Sequence, residues 1–386
     1  LLFILSDNHA KSVIGCYGNP NARTPNIDAL AARGARFANA YSASPLCCPA
    51  RASLATGRYP HSTGYWDNAI VYDGRVRSWM HELRDAGYNV VSIGKLHFRS
   101  GEDDNGFSEE LLPMHILGGK GGVSMLLRWS DEEPVNVGQW ELYNNQSGVG
   151  ETAYQAYDRA ITERAVTWLE AAAGAERPWA LFVSYVSPPP PFTVPQRLYD
   201  LYDGVDFALP PLFRPGERPD HPAVVHLRRK MDTREMLDER RLLEIVRCYH
   251  ALSTHVDEQV GRVLEKVRNL GLIDSIRVIY SSDHGEAVGA HGLFGKSNLY
   301  ETAIGVPLIM AGPDVPRGAV VQEPVSHVDL YPTICAAGGA GWPGTPPLDG
   351  ESLWPVLGGS ARSRPVLSEY HAAGSQNASF AVRSGD

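Results

Sequence analysis

The stretch Leu1-Leu2-Phe3-Ile4-Leu5-Ser6-Asp7-Asn8 decides the fold, because an unbroken apolar run passes directly into two polar side chains. Such a short run predicts a strand buried on both faces, as in a parallel sheet covered by helices on each side. Comparable apolar runs recur along the chain, at residues 89–93, 179–186, 276–281 and 306–310. We therefore predict that these segments are strands of one buried sheet.

Helical patterns separate these apolar runs. One helix is predicted to begin at Thr24-Pro25, where Thr can cap and Pro suits the first helical position, and to end at Gly34. Two longer helices are predicted at about residues 157–173 and 235–270. The alternation of strands and helices predicts an α/β fold with a central mixed, mostly parallel sheet flanked by helices.

The 386 residues are enough for one large catalytic domain, which we expect to cover residues 1–365. Residues 366–386 end as a strand enters a turn, and we expect them to begin a small, incomplete C-terminal subdomain. Because the sequence opens directly on a strand, we also expect a short leader to precede it. Two segments without periodicity, 101–150 and 188–222, are typical of functional loops.

Composition excludes several classes of protein. The net charge of −9 argues against a nucleic-acid partner, which calls for a basic face. No apolar run reaches the length of a membrane span. The five cysteines are few and irregularly spaced, which favours a reduced compartment, here taken as the cytoplasm, over a disulfide framework. They are Cys16, Cys47, Cys48, Cys248 and Cys335.

Acidic residues follow two of the predicted strands. Asp7-Asn8 come directly after the opening strand, and Asp283-His284 come after the strand at 276–281. In open α/β sheets the carboxyl ends of the strands form the ligand-binding edge. Carboxylate oxygens with amide or imidazole donors could hold one divalent cation there. The alternative is that each acid caps a nearby helix or turn.

The stretch S-P-L-C-C-P-A-R-A-S-L-A-T-G-R at residues 44–58 combines a nucleophile with a positive charge. Pro49 can start a helix, so Cys47 would lie at or just before its N-terminus, where free N–H groups favour negative charge. Arg51, one turn further on, offers a planar fork of donors to a tetrahedral oxyanion. The alternative is a buried cysteine pair in an ordinary helical turn.

Cys47 opens the pattern C-x-P-x-R-x-x-x-x-T-G, which resembles the signature of the sulfatase family within the alkaline phosphatase superfamily. Two later segments, Gly94-Lys95-Leu96-His97 and Gly295-Lys296 followed by Tyr300-Glu301, resemble further family motifs in the same order. The resemblance covers nearly the whole chain, from Asp7 to about residue 383. It implies an alkaline phosphatase-like fold.

The resemblance also implies a mechanism. A maturation enzyme would oxidise Cys47 to formylglycine (3-oxoalanine), whose hydrated gem-diol is the nucleophile of the family. The implied ligands of the divalent metal, Ca²⁺ with Mn²⁺ as the alternative, are Asp7, Asn8, Cys47, Asp283 and His284. The implied catalytic residues are Cys47, Arg51, Lys95, His97 and Lys296. Of these, Lys95 and Lys296 would bind the sulfate.

Two positions depart from the family pattern. Asn8 stands where many sulfatases have a second Asp. Choline sulfatases and phosphonate monoester hydrolases also lack that second Asp, which places this chain nearer to them. Pro189 stands where relatives often carry a substrate-binding His. A proline side chain can donate neither a proton nor a hydrogen bond, so another group must protonate the leaving alcohol or its protonation must be weaker.

These features lead to three hypotheses about function. The first is hydrolysis of a small-molecule sulfate ester, releasing inorganic sulfate and an alcohol. The second is a phosphonate monoester or phosphodiester hydrolase with the same nucleophile, and the third is a non-catalytic anion-binding homologue. Trp66, Trp129 and Trp140 could line a pocket for a cationic alcohol by cation–π contact, or simply pack in the core. Relatives in this branch often assemble, so a homo-oligomer is possible.

Overall fold

The computed structural model describes residues 1–121, 139–230, 237–342, 344, 346–362, 364–371, 375 and 377–385. The helices are α1 Pro25–Arg33, α2 Cys47–Thr56, α3 Pro60–Thr63, α4 Trp79–Asp85, α5 Gln139–Asn144, α6 Ala153–Ala172, α7 Gln196–Asp200, α8 Pro222–Lys230, α9 Glu239–Asn269, α10 Glu301–Ile304, α11 Leu330–Ala337 and α12 Trp354–Leu357. The strands are β1 Leu2–Ser6, β2 Ala35–Phe37, β3 Ala40–Tyr41, β4 Asn89–Lys95, β5 Glu109–Met114, β6 Gly148–Val149, β7 Trp179–Ser184, β8 Thr193–Val194, β9 Val278–Ser282, β10 Leu308–Ala311, β11 Ala319–Val321, β12 Val325–Ser326, β13 Val366–Tyr370 and β14 Ser379–Arg383.

Eight strands form the central sheet, in the order β11-β2-β10-β9-β1-β7-β4-β5. β10 runs antiparallel to both of its neighbours, and the remaining neighbouring pairs are parallel. The prediction of a mixed, mostly parallel α/β sheet flanked by helices is therefore confirmed.

The opening strand β1 explains why both faces of the sheet are covered. Leu2 and Ile4 point to one face and pack with residues of α1, α6 and α9. Phe3 and Leu5 point to the other face and pack with residues of α2, α4 and α11. Successive side chains of a strand alternate between faces, so a fully apolar strand needs apolar partners on both sides.

Short strands at the edges and outer part of the sheet lie outside the predicted set. β5 falls within the segment 101–150, which we expected to be irregular, and its side chains are half-buried or exposed. β2 and β11 have only three residues each. The position of such strands depends on pairing with a neighbouring strand. They contain no continuous apolar run, so the hydrophobic pattern of the sequence does not predict them.

Helix boundaries follow local capping. α1 matches its prediction, with Pro25 in the first position. α6 begins before the predicted 157 because Thr152 and Gln155 form a reciprocal capping box. α9 begins after the predicted 235 because the side chain of Asp238 accepts a hydrogen bond from the main-chain N–H of Arg241.

The C-terminal hairpin of β13 and β14 packs against the segment that leads into α2. The main-chain N–H of Glu369 donates to the carbonyl of Ala43 at 2.9 Å, and the Ser368 hydroxyl donates to the carbonyl of Ser42 at 2.6 Å. The boundary between a domain at 1–365 and a subdomain at 366–386 stays a prediction. All five cysteines are free, as expected. None of the described helices has the length and apolar character needed to cross a membrane.

Candidate active site

Four adjacent parallel strands deliver polar side chains to one edge of the sheet. β9, β1, β7 and β4 end there side by side. At the last residue of each strand, or directly after it, they carry Asp283, Asp7, Ser184 and Lys95. The main-chain N–H of Asn8 donates to Asp283 Oδ1 at 3.2 Å. The predicted meeting of the two acidic strand ends is therefore confirmed.

Helix α2 brings the candidate nucleophile to this edge. Cys47 is its first residue, after Leu46 in extended conformation, and the whole helix is buried. Pro49 occupies the first turn, where a missing N–H costs nothing. Gly57 ends the helix with a φ of 65°, a left-handed conformation that favours glycine. The predicted position of Cys47 at a helix N-terminus is confirmed.

A buried cluster at this edge has the donor set of a metal site. One ligand atom each from Asp7, Cys47, Asp283 and His284 lies within 4.8 Å of the other three. Asp7 Oδ1 is buried and has no hydrogen-bond partner among the described residues. A buried carboxylate oxygen without a partner is costly, and a divalent cation would satisfy it. The residues present therefore fit a metal ion.

Arg51 is held by protein groups rather than facing open space. Its Nε donates to Asp283 Oδ2 at 2.8 Å and its Nη2 to Asp7 Oδ2 at 3.3 Å. Its Nη1 donates to the carbonyl of Lys95 at 2.8 Å and the hydroxyl of Ser184 at 3.0 Å. The sequence led us to expect an oxyanion contact from this guanidinium. The structure instead pairs it with the two carboxylates, whose charge it neutralises.

Two lysines provide the positive charge that faces the cluster. Lys95 Nζ donates to Asp7 Oδ2 at 2.5 Å, and Lys296 Nζ donates to Cys47 Sγ at 3.1 Å and to Asn8 Oδ1 at 3.3 Å. Burial would lower the pKa of Lys296, but the negative charges of Cys47 and Asp7 outweigh it and raise the pKa. Burial would raise the pKa of Asp7, but Lys95 and Lys296 hold it well below its usual value. Lys296 therefore stays charged beside the nucleophile.

His284 contacts the candidate nucleophile directly. Its Nε2 lies 3.2 Å from Cys47 Sγ, and its Nδ1 lies 3.1 Å from the carbonyl of Gly285. Burial would lower the pKa of His284, but the neighbouring Asp283 carboxylate raises it. Burial would raise the pKa of the Cys47 thiol, but the positive charges of Lys296 and His284 lower it. The site therefore favours an anion at position 47.

His97 lies on the wall of the same site. It has a φ of 54°, a conformation that costs energy for a side chain with a Cβ and that recurs at functional sites. Its Nδ1 is buried and unpartnered among the described residues. Burial and the positive charge of Lys95 hold the pKa of His97 well below its usual value. A neutral imidazole can accept a proton or a hydrogen bond at this position.

Glu286 is a functional candidate to which sequence reasoning gave no role. It is 2% exposed and contacts Asn8, whose side-chain N–H donates to Glu286 Oε2. Burial raises the pKa of Glu286, and hydrogen bonds donated by Val288 and Gly295 oppose this effect. The signal for it was its position in D-H-G-E, directly beyond a strand end, but a role could be assigned only from its contacts.

A cavity of about 300 Å³ opens above the cluster. Asp7, Cys47, Lys95, His97 and Lys296 contribute to its polar part. Most of the remaining described lining is apolar or aromatic: Leu46, Met114, Leu142, Tyr143, Tyr154, Val186, Pro189, Pro190, Leu227, Leu293 and Phe294. The cluster therefore forms the charged part of an otherwise largely apolar cavity.

The structure also locates the remaining predicted residues. Pro189 lies on the cavity wall, as expected for a position that usually touches substrate. Trp140 packs against Phe294, with ring centroids 5.3 Å apart, and does not itself line the cavity. Trp66 is 42% exposed and contacts His371 instead. Trp129 lies outside the described residues. The proposed tryptophan pocket is thus not formed by Trp66 and Trp140.

The fold and the site together define a class of protein. A mostly parallel sheet whose strand ends hold buried acids, beside a helix-borne cysteine and two lysines, is the arrangement that the resemblance to alkaline phosphatase-like hydrolases implies. The particular family follows from comparison with known proteins. The chain belongs to the Sulfatase family, which matches residues 1–340, and it is a sulfuric ester hydrolase.

One relative is similar in sequence, and two solved structures share the fold. The chain is 33% identical over 378 residues to choline-sulfatase of Rhizobium meliloti (strain 1021), covering 94% of this chain and 72% of that protein. BT4656, solved in complex with its substrate D-glucosamine-2-N,6-O-disulfate, shares the fold with a TM-score of 0.78 at 22% identity, over 99% of this chain and 86% of that one. The phosphonate monoester hydrolase of Agrobacterium radiobacter does so with a TM-score of 0.76 at 22% identity, over 96% and 80%.

Proposed function

We propose that the chain hydrolyses a small organic sulfate ester, releasing inorganic sulfate and an alcohol, at a formylglycine made from Cys47. The observation that carries this proposal is the position of Cys47 Sγ. It lies 3.1 Å from Lys296 Nζ and 3.2 Å from His284 Nε2, beside Asp7 and Asp283. A maturation enzyme would be the partner that oxidises the thiol.

The proposed chemistry divides one difficult displacement into two easier steps. One hydroxyl of the hydrated aldehyde would attack sulfur while the S–O bond to the alcohol breaks, and the proton of that hydroxyl ends on the departing alcohol. The second hydroxyl would then lose its proton as the C–O bond to sulfate breaks, which releases sulfate and leaves the aldehyde, and water would hydrate the aldehyde again. Lys95 and Lys296 neutralise charge on the sulfate oxygens as it is transferred. His97, which lines the cavity together with Cys47, would accept the proton that the second hydroxyl loses.

A divalent cation completes the proposed site. Asp7, Asn8, Asp283 and His284, with the residue at position 47, would hold it. Bound there, the ion lowers the pKa of a ligating hydroxyl and polarises an oxyanion. Oxygen-rich ligation favours Ca²⁺, with Mn²⁺ as the alternative. Arg51 donates to both carboxylates and so fixes their positions.

Phosphonate monoester or phosphodiester hydrolysis is the second candidate. Lysine charges recognise any tetrahedral oxyanion, and the fold is shared with the phosphonate monoester hydrolase of Agrobacterium radiobacter. Sulfate esters are favoured because the relative with 33% identity is a choline-sulfatase. A cytoplasmic location and a homo-oligomer stay predictions from the sequence.

Parallel assays separate the two candidates. The protein is produced with a formylglycine-generating enzyme, loaded with Ca²⁺ or Mn²⁺, and assayed with p-nitrophenyl sulfate, bis-p-nitrophenyl phosphate and a phenylphosphonate ester. We expect kcat/KM to be largest for the sulfate and to vanish for all substrates in Cys47→Ala. A much larger kcat/KM for the phosphodiester or the phosphonate ester would overturn the sulfatase assignment of substrate.

A further inference from the structure

The side-chain amide of Asn8 is held in one orientation. Its Oδ1 accepts from Lys296 Nζ at 3.3 Å and so faces the cluster, while its Nδ2 donates to Glu286 Oε2 on the other side. The backbone of Asn8 is fixed as well. Its N–H donates to Asp283 Oδ1, and its carbonyl accepts from the Tyr249 hydroxyl at 2.6 Å. With the backbone fixed, the side-chain amide of Asn8 could still rotate by half a turn, and its contact with Glu286 opposes that rotation.

Glu286 is built to act as an acceptor. Its Oε1 accepts from the main-chain N–H groups of Val288 at 3.1 Å and Gly295 at 2.5 Å. Its Oε2 accepts from the Tyr143 hydroxyl at 3.3 Å as well as from Asn8. Each of these four contacts uses a Glu286 oxygen as the acceptor, so the side chain offers an acceptor and no donor to Asn8. Such a group can contact only the NH₂ end of the Asn8 amide.

We propose that Glu286 is a positioning residue that fixes the Asn8 amide so that its carbonyl oxygen, and not its NH₂, faces the metal-binding cluster. This inference rests on the proposed function, in which Asn8 is a metal ligand. A flipped amide would direct two N–H donors at a cation and at Lys296. Groups behind a metal ligand orient it in this way, and their loss commonly weakens metal binding roughly 10- to 100-fold.

The same pair accounts for the departure from the usual second Asp at position 8. An aspartate there would place its carboxylate against that of Glu286, and two buried carboxylates in contact cannot both ionise easily. In this chain the amide contacts Lys296 on one side, and the carboxyl group of Glu286 lies on the other side of the amide. Glu286 also binds the N–H of Gly295, so it fixes the residue that precedes Lys296.

A double-mutant cycle tests the proposal. The variants are Glu286→Gln, Asn8→Asp and the combination of both. In Glu286→Gln the new NH₂ faces Asn8, so the Asn8 amide turns to present its oxygen to position 286 and its NH₂ to the cluster. In the combined variant, one carboxylate oxygen at position 8 accepts from the amide at position 286, while the other oxygen faces the cluster. Donor and acceptor have then been exchanged without losing the contact.

The first readout is Ca²⁺ affinity measured by competition with a chromophoric chelator. We expect Glu286→Gln to bind Ca²⁺ at least about tenfold more weakly than the protein without substitutions. We expect the combined variant to bind Ca²⁺ at least about tenfold more tightly than Glu286→Gln. Affinity within about twofold of the unmodified protein in Glu286→Gln, or no recovery in the combined variant, would overturn the proposal.

The second readout needs no metal. In excess chelator, Asn8→Asp alone should lower the melting temperature, because two carboxylates then meet, and adding Glu286→Gln should recover most of the loss. If the two substitutions lower the melting temperature additively, the proposed contact between Glu286 and position 8 is overturned. If the unmodified protein binds neither Ca²⁺ nor Mn²⁺, the metal part of the proposed function fails, and this readout still decides whether Glu286 and position 8 are coupled.

A matched control separates positioning from general stability. Glu82 is also a buried glutamate, 6% exposed, and accepts hydrogen bonds from Arg77 and from the Tyr331 hydroxyl, and it belongs neither to the cavity lining nor to the cluster. We expect Glu82→Gln to lower the melting temperature while leaving Ca²⁺ affinity and KM unchanged. Loss of Ca²⁺ affinity in Glu82→Gln as large as in Glu286→Gln would overturn a specific role for Glu286.

Discussion

Among its individual residues, the site is rich in positive charge but poor in groups that could protonate the leaving alcohol. Lys95 and Lys296 line the cavity with His97, which burial keeps neutral. Pro189 occupies a wall position where a histidine could have protonated the leaving alcohol. Hydrolysis should therefore depend strongly on how well the leaving group departs without help.

Restoring a histidine at this position should change the preference among substrates. We expect Pro189→His to raise kcat/KM for alkyl sulfates by roughly tenfold more than for p-nitrophenyl sulfate, because only the poor leaving group needs a proton in the transition state. Steady-state kinetics on both substrates measure the ratio, and the aryl substrate is the internal control. An equal change for both substrates would show that protonation at this wall does not limit the reaction.

Sequence reasoning reached the site residues that stand at motif positions or at strand ends. Cys47, Lys95 and Lys296 stand in three separate sequence motifs, and the fold brings these motifs together at one edge of the sheet. The partners of Arg51 could not be predicted in the same way. Its guanidinium bonds to Asp7 and Asp283, which are distant in sequence, and only the packed fold decides whether its donors face protein or substrate.

At the scale of elements, helix α2 depends on how it ends as well as on how it begins. Gly57 closes the helix in the left-handed conformation, and a Cβ added there would lie 2.7 Å from the Cβ of Tyr331 on α11. Gly64 ends α3 with a φ of 81° and open space around it. The two glycines therefore share a backbone requirement but differ in packing.

This difference gives a stability prediction. Gly64→Ala should cost about 1 kcal/mol of unfolding free energy, from backbone strain alone. Gly57→Ala should cost about 1–3 kcal/mol more, because the added methyl group also overpacks the contact with Tyr331. Urea denaturation of both variants measures the difference. Equal losses in the two variants would contradict close packing at the end of α2.

The elements that sequence predicted well are those whose own residues determine them. β1, β4, β7, β9 and β10 are buried apolar runs, and α1 has its proline at the start and its glycine at the end. β5 escaped prediction because the edge strand Glu109–Met114 begins with two glutamates and includes a proline. Its place depends on pairing with β4, which is a property of the fold and not of the segment.

At the scale of the whole molecule, buried neutral histidines make stability depend on pH. His250 in α9 is 6% exposed, its Nδ1 lies 2.8 Å from the carbonyl of Val246, and its Nε2 lies 3.0 Å from Asn19 Nδ2. Burial lowers the pKa of His250 from 6.5 to about 4. Between these values the unfolded chain binds the proton and the folded chain does not. The contribution of the neutral His250 to the unfolding free energy is therefore fully present above about pH 6.5 and is lost as the pH falls towards about 4.

Replacing this histidine should remove part of the acid sensitivity. Relative to the unmodified protein, His250→Gln should lose about 2 kcal/mol less unfolding free energy between about pH 7.5 and about pH 5.0. Burial raises the pKa of Asp257 to about 6, which acts in the opposite direction, but this contribution is common to both proteins and cancels. Urea denaturation at the two pH values measures the difference. Parallel pH profiles would contradict a buried neutral His250.

The proposed hydrolysis depends on the conversion of Cys47 to formylglycine, and mass spectrometry of the peptide that contains Cys47 measures this conversion. Preparations with different extents of conversion are obtained by varying co-expression of the maturation enzyme, and p-nitrophenyl sulfate turnover is recorded on each. We predict that turnover rises in proportion to the formylglycine fraction and falls to background when only the thiol is present. Full turnover in a preparation whose Cys47 is entirely thiol would contradict a formylglycine nucleophile at position 47.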